Sequence, residues 1–367
     1  MAIPILFVIT DSGIGGSEKV MTDLLIHLDR KLFAPCGVVI LKSKKELGIE
    51  WEKLGIPVFA LNMKSLPTIG GFLSLRKIIG QTRPHIVQAF LFRSVQMVRL
   101  AKIFDRSFRM VSSPRVNYRF APLTGKIIDW ILKRMDDATI CESRATKEYL
   151  CGHLGYSEKK TFVAPNGVDA NKFKRNDQLR AQLRNELGIK GNEILIGGAG
   201  RLHKQKGFDI FLKALAGLGQ TKPPYQVILA GEGPEKGTLE KLSRGKNLPV
   251  QFLGLRRDMP AIYSALDIYV QSSLYEGLPN ALLEAMASGC ASISTSVDGV
   301  VDFAKDGENS LLVSPGDPQS LAQAIRKIIE DPALRLKIVQ GAQKIAEDFS
   351  IDNMVKDFEK VYSTLIS

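Results

Sequence analysis

The sequence predicts an α/β protein of two doubly wound domains, each a parallel sheet with helices on both faces. Three observations carry that expectation. A length of 367 residues fits two domains of ordinary size. Short apolar runs alternate with segments of helical period, the order that builds parallel sheets. The alternation lapses at a polar segment, Ala170–Lys190, and then restarts, so that segment reads as the crossing between domains.

The first run, Ile5–Thr10, is continuously apolar, as expected of a strand covered on both faces. It ends in Asp11-Ser12-Gly13-Ile14-Gly15-Gly16-Ser17-Glu18, where Ser17 is placed to cap a helix through Val20, Leu24, Leu25 and Leu28. Cys36–Leu41 and Val58–Leu61 read as strands, with a helix end at Trp51–Leu54 between them. Leu73–Ile79 and Gly125–Met135 read as helices. Ile86–Phe90, Arg109–Ser112, Ala138–Cys141 and Thr161–Ala164 read as strands, and Pro165-Asn166-Gly167-Val168-Asp169 as a turn. After the crossing, Ile194–Gly200, Gln226–Ala230, Val250–Leu253, Ile268–Gln271, Ala291–Ser294 and Leu311–Val313 read as strands. Helices are expected from Phe208, over Leu239–Leu242, over Met259–Ala265, and from Leu321 to the end.

Composition narrows the class. Hydrophobic content of 45% and charged content of 24% are those of a globular protein. Cys36, Cys141, Cys151 and Cys290 show neither disulfide nor metal-ligand spacing, which points to free thiols and a reducing compartment. Ile3–Thr10 lacks a preceding basic region and reads as a strand, not a signal peptide. No apolar stretch reaches the ~18 residues of a membrane span, so a cytoplasmic chain is expected. The net charge of +12 is uneven. Residues 1–180 hold 29 Lys and Arg against 16 Asp and Glu; the rest hold 21 against 22. The excess is densest from Arg93 to Arg134, with ten basic and two acidic residues. That stretch reads either as a solvated surface or as a patch for an anionic membrane or acceptor. No recognition motif accompanies it, which argues against nucleic acid. Nothing in the sequence sets an oligomeric state.

Three stretches carry candidate chemistry. Gly13-x-Gly15-Gly16 follows the first strand and opens a helix, a place where backbone can approach a phosphate; it reads equally as a tight turn. The full glycine spacing of a dinucleotide fingerprint is not met, which argues against NAD. In Gly200-Arg201-Leu202-His203-Lys204-Gln205-Lys206-Gly207, Arg201 and Lys206 sit at a strand end, where doubly wound folds bind ligands. Arg grips a diphosphate bidentately and Lys adds a point charge. Lys204 reads as solvent-facing and His203 as a loop spacer. The third stretch is Glu276-Gly277-Leu278-Pro279-Asn280-Ala281-Leu282-Leu283-Glu284. Asn280 reads as an N-cap, which puts Glu276 in a loop and Glu284 in the first turns of a helix. Amides at that helix start suit phosphate, and the carboxylates suit hydroxyls.

With Pro165–Asp169, these motifs resemble those of the family-four retaining glycosyltransferases of GT-B fold, over nearly the whole chain. The resemblance implies two Rossmann-like domains facing across a cleft. Residues 1–170 would bind the acceptor and 171–351 the nucleotide sugar, with a final helix, about 352–367, crossing back to the first domain. By motif, Arg201 and Lys206 should hold the diphosphate, helped by amides of Gly15, Gly16 and Ala281–Leu283. Glu284 should hold the ribose, and Glu276 with Gly277, Leu278, Pro279 and Asn280 the sugar. Gly231, Gly233, Gly254, Leu255 and Arg256 should flank the base. Phe90, Arg93 and Arg115 would lie on the acceptor side. The resemblance implies no cofactor and no metal, and a UDP-sugar rather than a GDP-sugar as donor. It implies a glycan or lipid-linked acceptor in cell-surface polysaccharide, lipopolysaccharide or glycolipid assembly. Gln88 and Phe90 occupy positions where family members carry a histidine, and Asp298-Gly299 and Asp302 depart from a glycine pair and glutamate. Alternatives on the same scaffold are a non-catalytic nucleotide-sugar-binding protein, an epimerase and a phosphorylase.

Overall fold

The computed structural model describes residues 2–64, 68–115, 122–191, 193–219 and 221–366. The chain forms two compact units, Met1–Gly167 with Ile351–Ser367, and Val168–Ser350. The first unit runs β1 (Ile3–Ile9), α1 (Gly16–His27), β2 (Phe33–Ile40), α2 (Glu46–Lys53), β3 (Val58–Ala60), α3 (Ile69–Thr82), β4 (Ile86–Phe90), α4 (Phe92–Phe104), β5 (Arg109–Ser113), α5 (Leu123–Leu132), β6 (Ala138–Cys141), α6 (Arg144–Leu154) and β7 (Thr161–Val163). The second runs α7 (Asp177–Glu186), β8 (Ile194–Ala199), α8 (Phe208–Leu218), β9 (Tyr225–Ala230), α9 (Lys236–Gly245), β10 (Val250–Gly254), α10 (Met259–Ala265), β11 (Ile268–Gln271), α11 (Asn280–Ala287), β12 (Ala291–Thr295), α12 (Asp298–Val301), β13 (Leu311–Val313), α13 (Pro318–Glu330) and α14 (Pro332–Asp348). Helix α15 (Ile351–Ser363) returns to the first unit.

Both sheets are parallel and share one logic. Their strand orders are β3-β2-β1-β4-β5-β6-β7 and β10-β9-β8-β11-β12-β13. In each, the winding reverses beside the unit's first strand, between β1 and β4 and between β8 and β11. At that reversal the loops leaving the two central strands diverge to opposite faces and open a crevice. The registers Ile9↔Phe90 and Tyr269↔Gly197 fix which loops meet there.

The apolar strands make the cores, and the buried polar groups explain where the sequence misleads. Helix α4, not anticipated, buries Arg99 completely. Arg99 grips Asp136 through Nε and Nη2 at 2.9 and 2.6 Å and Asp129 of α5 at 2.6 Å, and donates to Tyr156 at 3.0 Å. Burial works against its charge, but Asp136, Tyr156 and Asp129 outweigh it and hold the guanidinium above its ordinary range. The basic stretch Arg93–Arg134 is therefore not one surface patch. Arg99 is fully buried, Arg115 is half-buried with its Nε and Nη2 enclosed, Lys102 bonds Asp137, and Arg119 lies outside the described residues.

The polar segment 170–190 holds a helix of the second unit, α7, instead of a bare crossing. Its residues are polar because its attachment is ionic. Arg180 and Arg184 bond Asp267 at 2.7 and 3.0 Å and donate to carbonyls of Ala265 and Glu193. Two expected caps also move. Helix α1 is capped by Gly15 in extended conformation, with Ser17 inside it, and α11 by Pro279, with Asn280 as its first residue. The four cysteines are free, and burial pushes Cys36 to about 11 and Cys290 to about 12. Among the described residues no helix is long and apolar enough to cross a membrane.

Replacing Arg99 by Ala strands Asp136 in the core without its bidentate partner. Loss of one partner of a buried pair costs about 3–5 kcal/mol. We expect a fall of that size in the urea stability of the first unit; an unchanged midpoint would show that the cluster does not hold α4 and α5 together.

Candidate active site

The C-terminal edge of the second sheet gathers nearly all of the predicted donor residues. Backbone bonds lace its loops together: Leu202 N–H to Glu232 O at 2.9 Å, Gly231 N–H to Gly254 O at 2.7 Å, and Leu274 N–H to Gln205 O at 2.8 Å. The Arg201 loop, the Gly231–Gly233 turn, Gly254–Arg256 and the Glu276 loop thus form one surface. Among the close approaches that demand glycine, two bear on the Glu276 loop. Gly207 has φ +60°, and a Cβ there would stand 2.1 Å from Ser272 O. A Cβ on Gly299 would stand 1.4 Å from Gly277 O. The Asp298-Gly299 departure therefore keeps the one glycine on which the Glu276 loop rests.

Glu276 is 7% exposed and asymmetrically held. Lys206 Nζ at 2.5 Å, Ser273 Oγ at 2.6 Å and Gln271 Nε2 at 2.8 Å all donate to its Oε1. Its Oε2 accepts nothing from the described residues. Gln271 is oriented in turn, because Tyr269 donates to its Oε1 at 3.0 Å. Burial, with the Glu276 and Glu284 charges added, pushes the Tyr269 phenol up and keeps it a donor. Glu284, 9% exposed, accepts from Tyr263 at 3.1 Å, a phenol also pushed up by burial first and by Glu284 next. Sequence reading missed Gln271, Ser273, Tyr263 and Tyr269. Their one signal was a run of polar side chains, Gln271-Ser272-Ser273, at the end of an otherwise apolar strand.

The remaining donor residues divide. Arg201 is exposed, and its guanidinium has no partner among the described residues. Lys204 is exposed, and His203 accepts from Gln205 N–H at 3.2 Å as the cap of a short turn. Leu282 and Leu283 donate to Pro279 O at 3.1 and 3.3 Å, so of the three amides read as phosphate donors only that of Ala281 lacks an acceptor among the described residues. Arg256 is taken up by Asp258 at 2.6 and 2.8 Å, and Leu255 is exposed. Gly15 and Gly16 belong to the other unit, where the Glu18 side chain folds over Gly15: a Cβ there would meet Glu18 Oε2 at 2.4 Å.

The first unit has its own polar cluster at the matching edge. Phe90 is fully buried, stacked on Phe358 with ring centroids 6.2 Å apart, so its ring packs the core instead of standing open on the acceptor side. Gln88 is buried too, accepting from Tyr362 at 3.1 Å and donating to Ser113 at 3.1 Å. Arg115 lies over the Phe90 ring at 5.5 Å and donates to Asn166 at 2.5 Å. Among the described residues its Nε and Nη2 are buried without partners, as is Oε2 of Glu142. Burial lowers the Arg115 pKa, opposed by the charges of Glu142, Cys141 and Glu18. Arg93 stands exposed in the first turn of α4.

Comparison with known proteins follows the same division. Residues 14–172 match the model of glycosyltransferase family 4, and residues 180–345 that of glycosyl transferases group 1. The lipopolysaccharide core biosynthesis glycosyltransferase LpsE of Rhizobium meliloti is 34% identical over 59% of this chain and 61% of its own length. An Escherichia coli UDP-Gal:alpha-D-GlcNAc-diphosphoundecaprenol alpha-1,3-galactosyltransferase is 24% identical over 85% of this chain and 83% of its own. Across three curated relatives at 26 to 34% identity, the chain spans 59 to 61% of the relatives' length. The crystal structure of Anabaena Alr3699/HepE in complex with UDP and glucose matches with a TM-score of 0.87 at 25% identity, covering 99% of this chain and 100% of that one. The two family models leave little of the sequence unmatched, and the chain belongs to the group 1 glycosyltransferases, on the two-domain GT-B fold.

Proposed function

We propose that this protein is a retaining, metal-independent glycosyltransferase. It moves a hexosyl group from a UDP-sugar to a glycan or lipid-linked acceptor in cell-surface polysaccharide, lipopolysaccharide or glycolipid assembly, at the cytoplasmic face of the membrane. The observation that carries this reading is Glu276, with one oxygen anchored three times and the other unclaimed. That carboxylate shares its edge with Arg201, whose guanidinium has no partner among the described residues, and with the start of α11. The lipopolysaccharide core role in the name of LpsE, the donor and acceptor in the name of the galactosyltransferase, and the UDP and glucose held by HepE support the donor and acceptor classes.

Arg201 and Lys206 flank the position for a diphosphate, with the Ala281 amide beside them. Lys206 already holds a carboxylate oxygen at 2.5 Å, so an arriving phosphate oxygen replaces like with like. Gln271 and Ser273 keep Glu276 in place when Lys206 turns to the phosphate. Oε2 is then available to a sugar hydroxyl and to positive charge developing on the anomeric carbon. The acceptor attacks from the face the diphosphate leaves, and a leaving phosphate oxygen takes the acceptor proton. Positioning and fixed charge supply the acceleration. Glu284 takes the ribose. In the first unit, the open Nε and Nη2 of Arg115 and Oε2 of Glu142 offer donors and an acceptor to the incoming substrate.

Lys206→Ala removes a charged hydrogen bond, worth about 1.5–3 kcal/mol. UDP affinity by calorimetry should fall by that amount, and an unchanged Kd would refute the diphosphate assignment. Glu276→Gln should leave UDP affinity nearly intact but lower turnover of UDP-glucose about a hundredfold or more; NMR of the wild-type product should show the donor's anomeric configuration kept. Product with the opposite configuration sinks the retaining assignment. Arg115→Met removes a half-satisfied buried cation. It should leave the thermal midpoint unchanged or raised and donor hydrolysis intact, while transfer to acceptor extract drops at least about tenfold; undiminished transfer would take Arg115 off the acceptor side.

A further inference from the structure

Helix α5 is inside out. Its inward positions, one turn apart, are Gly125 and Asp129, and Asp129 is held by Arg99, Gln96 and Tyr156. Its outward positions are Leu123, Ile127, Ile128, Trp130 and Ile131, each 45 to 72% exposed. At helical spacing these five fall within an arc of roughly 160°. A helix facing water shows the reverse arrangement. Ion pairs attach α5 to the domain, so its apolar residues are left unused by the core. Contiguous exposure of this kind marks an interaction surface.

Charge selects the occupant. The half-buried Lys126 and Lys133 lie along one border of the arc, and exposed Arg134 follows the helix. Arg93, also exposed, is next to Phe92, whose ring reaches to 3.6 Å from the Cβ position of Gly125. From Pro122 to Met135 the one acid is Asp129, which is buried and paired. A face bordered by charge of one sign repels its own copy across a two-fold axis. The combination of aliphatic residues, a tryptophan and basic flanks fits a helix lying in a lipid headgroup layer. We propose that α5 seats in the surface of an anionic bilayer, with its apolar arc among the outer acyl segments and Lys126, Arg134 and Arg93 at the lipid phosphates. This attachment is chiefly apolar, and it does not rest on the donor-site reading.

Trp130 reports it directly. The chain has two tryptophans, and Trp51 is fully buried and bonded to Thr22. With full-length protein and vesicles of phosphatidylcholine and phosphatidylglycerol, Trp130 emission should shift to the blue, and brominated acyl chains should quench it. Pelleting with the vesicles should persist in part at about 0.5 M salt, where surface charge is screened. The double variant Ile127→Ser/Ile131→Ser should pellet at least about tenfold less while hydrolysing soluble UDP-glucose at the wild-type rate. Any of three results overturns the proposal: no quenching, complete release by salt, or a lipid-free dimer in sedimentation velocity that the double variant disperses.

Discussion

The edge of the second unit that carries the candidate site depends on one ion pair. Lys206 and Glu276 lie 70 residues apart in sequence and meet at 2.5 Å because β8 and β11 are neighbours at the winding reversal. Either partner alone would be a liability. A buried carboxylate without a cation carries the full cost of desolvation, and a lysine without an anchor wanders in solvent. Together they make the two loops one rigid object, and the donors from Gln271 and Ser273 then leave a single oxygen of Glu276 undetermined. The close packing of Gly207 on Ser272 and of Gly299 on Gly277 makes sense in that light, since any side chain there would pull the pair apart.

The same device recurs away from that edge. Arg99 in the first unit and Arg180 with Arg184 in the second fasten helices through carboxylates, buried at Asp129 and Asp136 and half-buried at Asp267. An ionic attachment frees a helix from the need for an apolar inner stripe. Helix α7 can therefore be polar almost throughout, and α5 can turn its apolar residues outward. Both are consequences of satisfying an arginine's fork with fixed carboxylates and carbonyls.

This also explains what could be read beforehand. Ile86–Phe90, Ala138–Cys141, Ile268–Gln271 and Leu311–Val313 fall where their apolar runs put them, since burial alone decides a parallel strand. The Glu276–Glu284 spacing was legible because a loop followed by a strong helix former needs no tertiary information. Helices α4 and α7 were not, because their partners Asp129, Asp136 and Asp267 lie far along the chain. The charge count from Arg93 to Arg134 erred for the same reason: composition cannot tell a solvated arginine from one whose carboxylates arrive 30 and 37 residues later. Phe90 read as an acceptor-side position because nothing local shows that a helix from the far end of the chain covers it.

That helix has a consequence for how the protein is made. Met354, Phe358 and Tyr362 of α15 are buried in the first unit's core, where Tyr362 bonds Gln88 and Phe358 stacks on Phe90. The second unit is thus an insertion within the first, and its whole length leaves the ribosome before the first unit's last helix exists. Val168–Ser350 can complete its core during synthesis, but residues 2–167 wait with an apolar groove uncovered until translation has passed Tyr362. Order of synthesis and order of folding run opposite to each other here, and the unit that emerges first is the last to be finished.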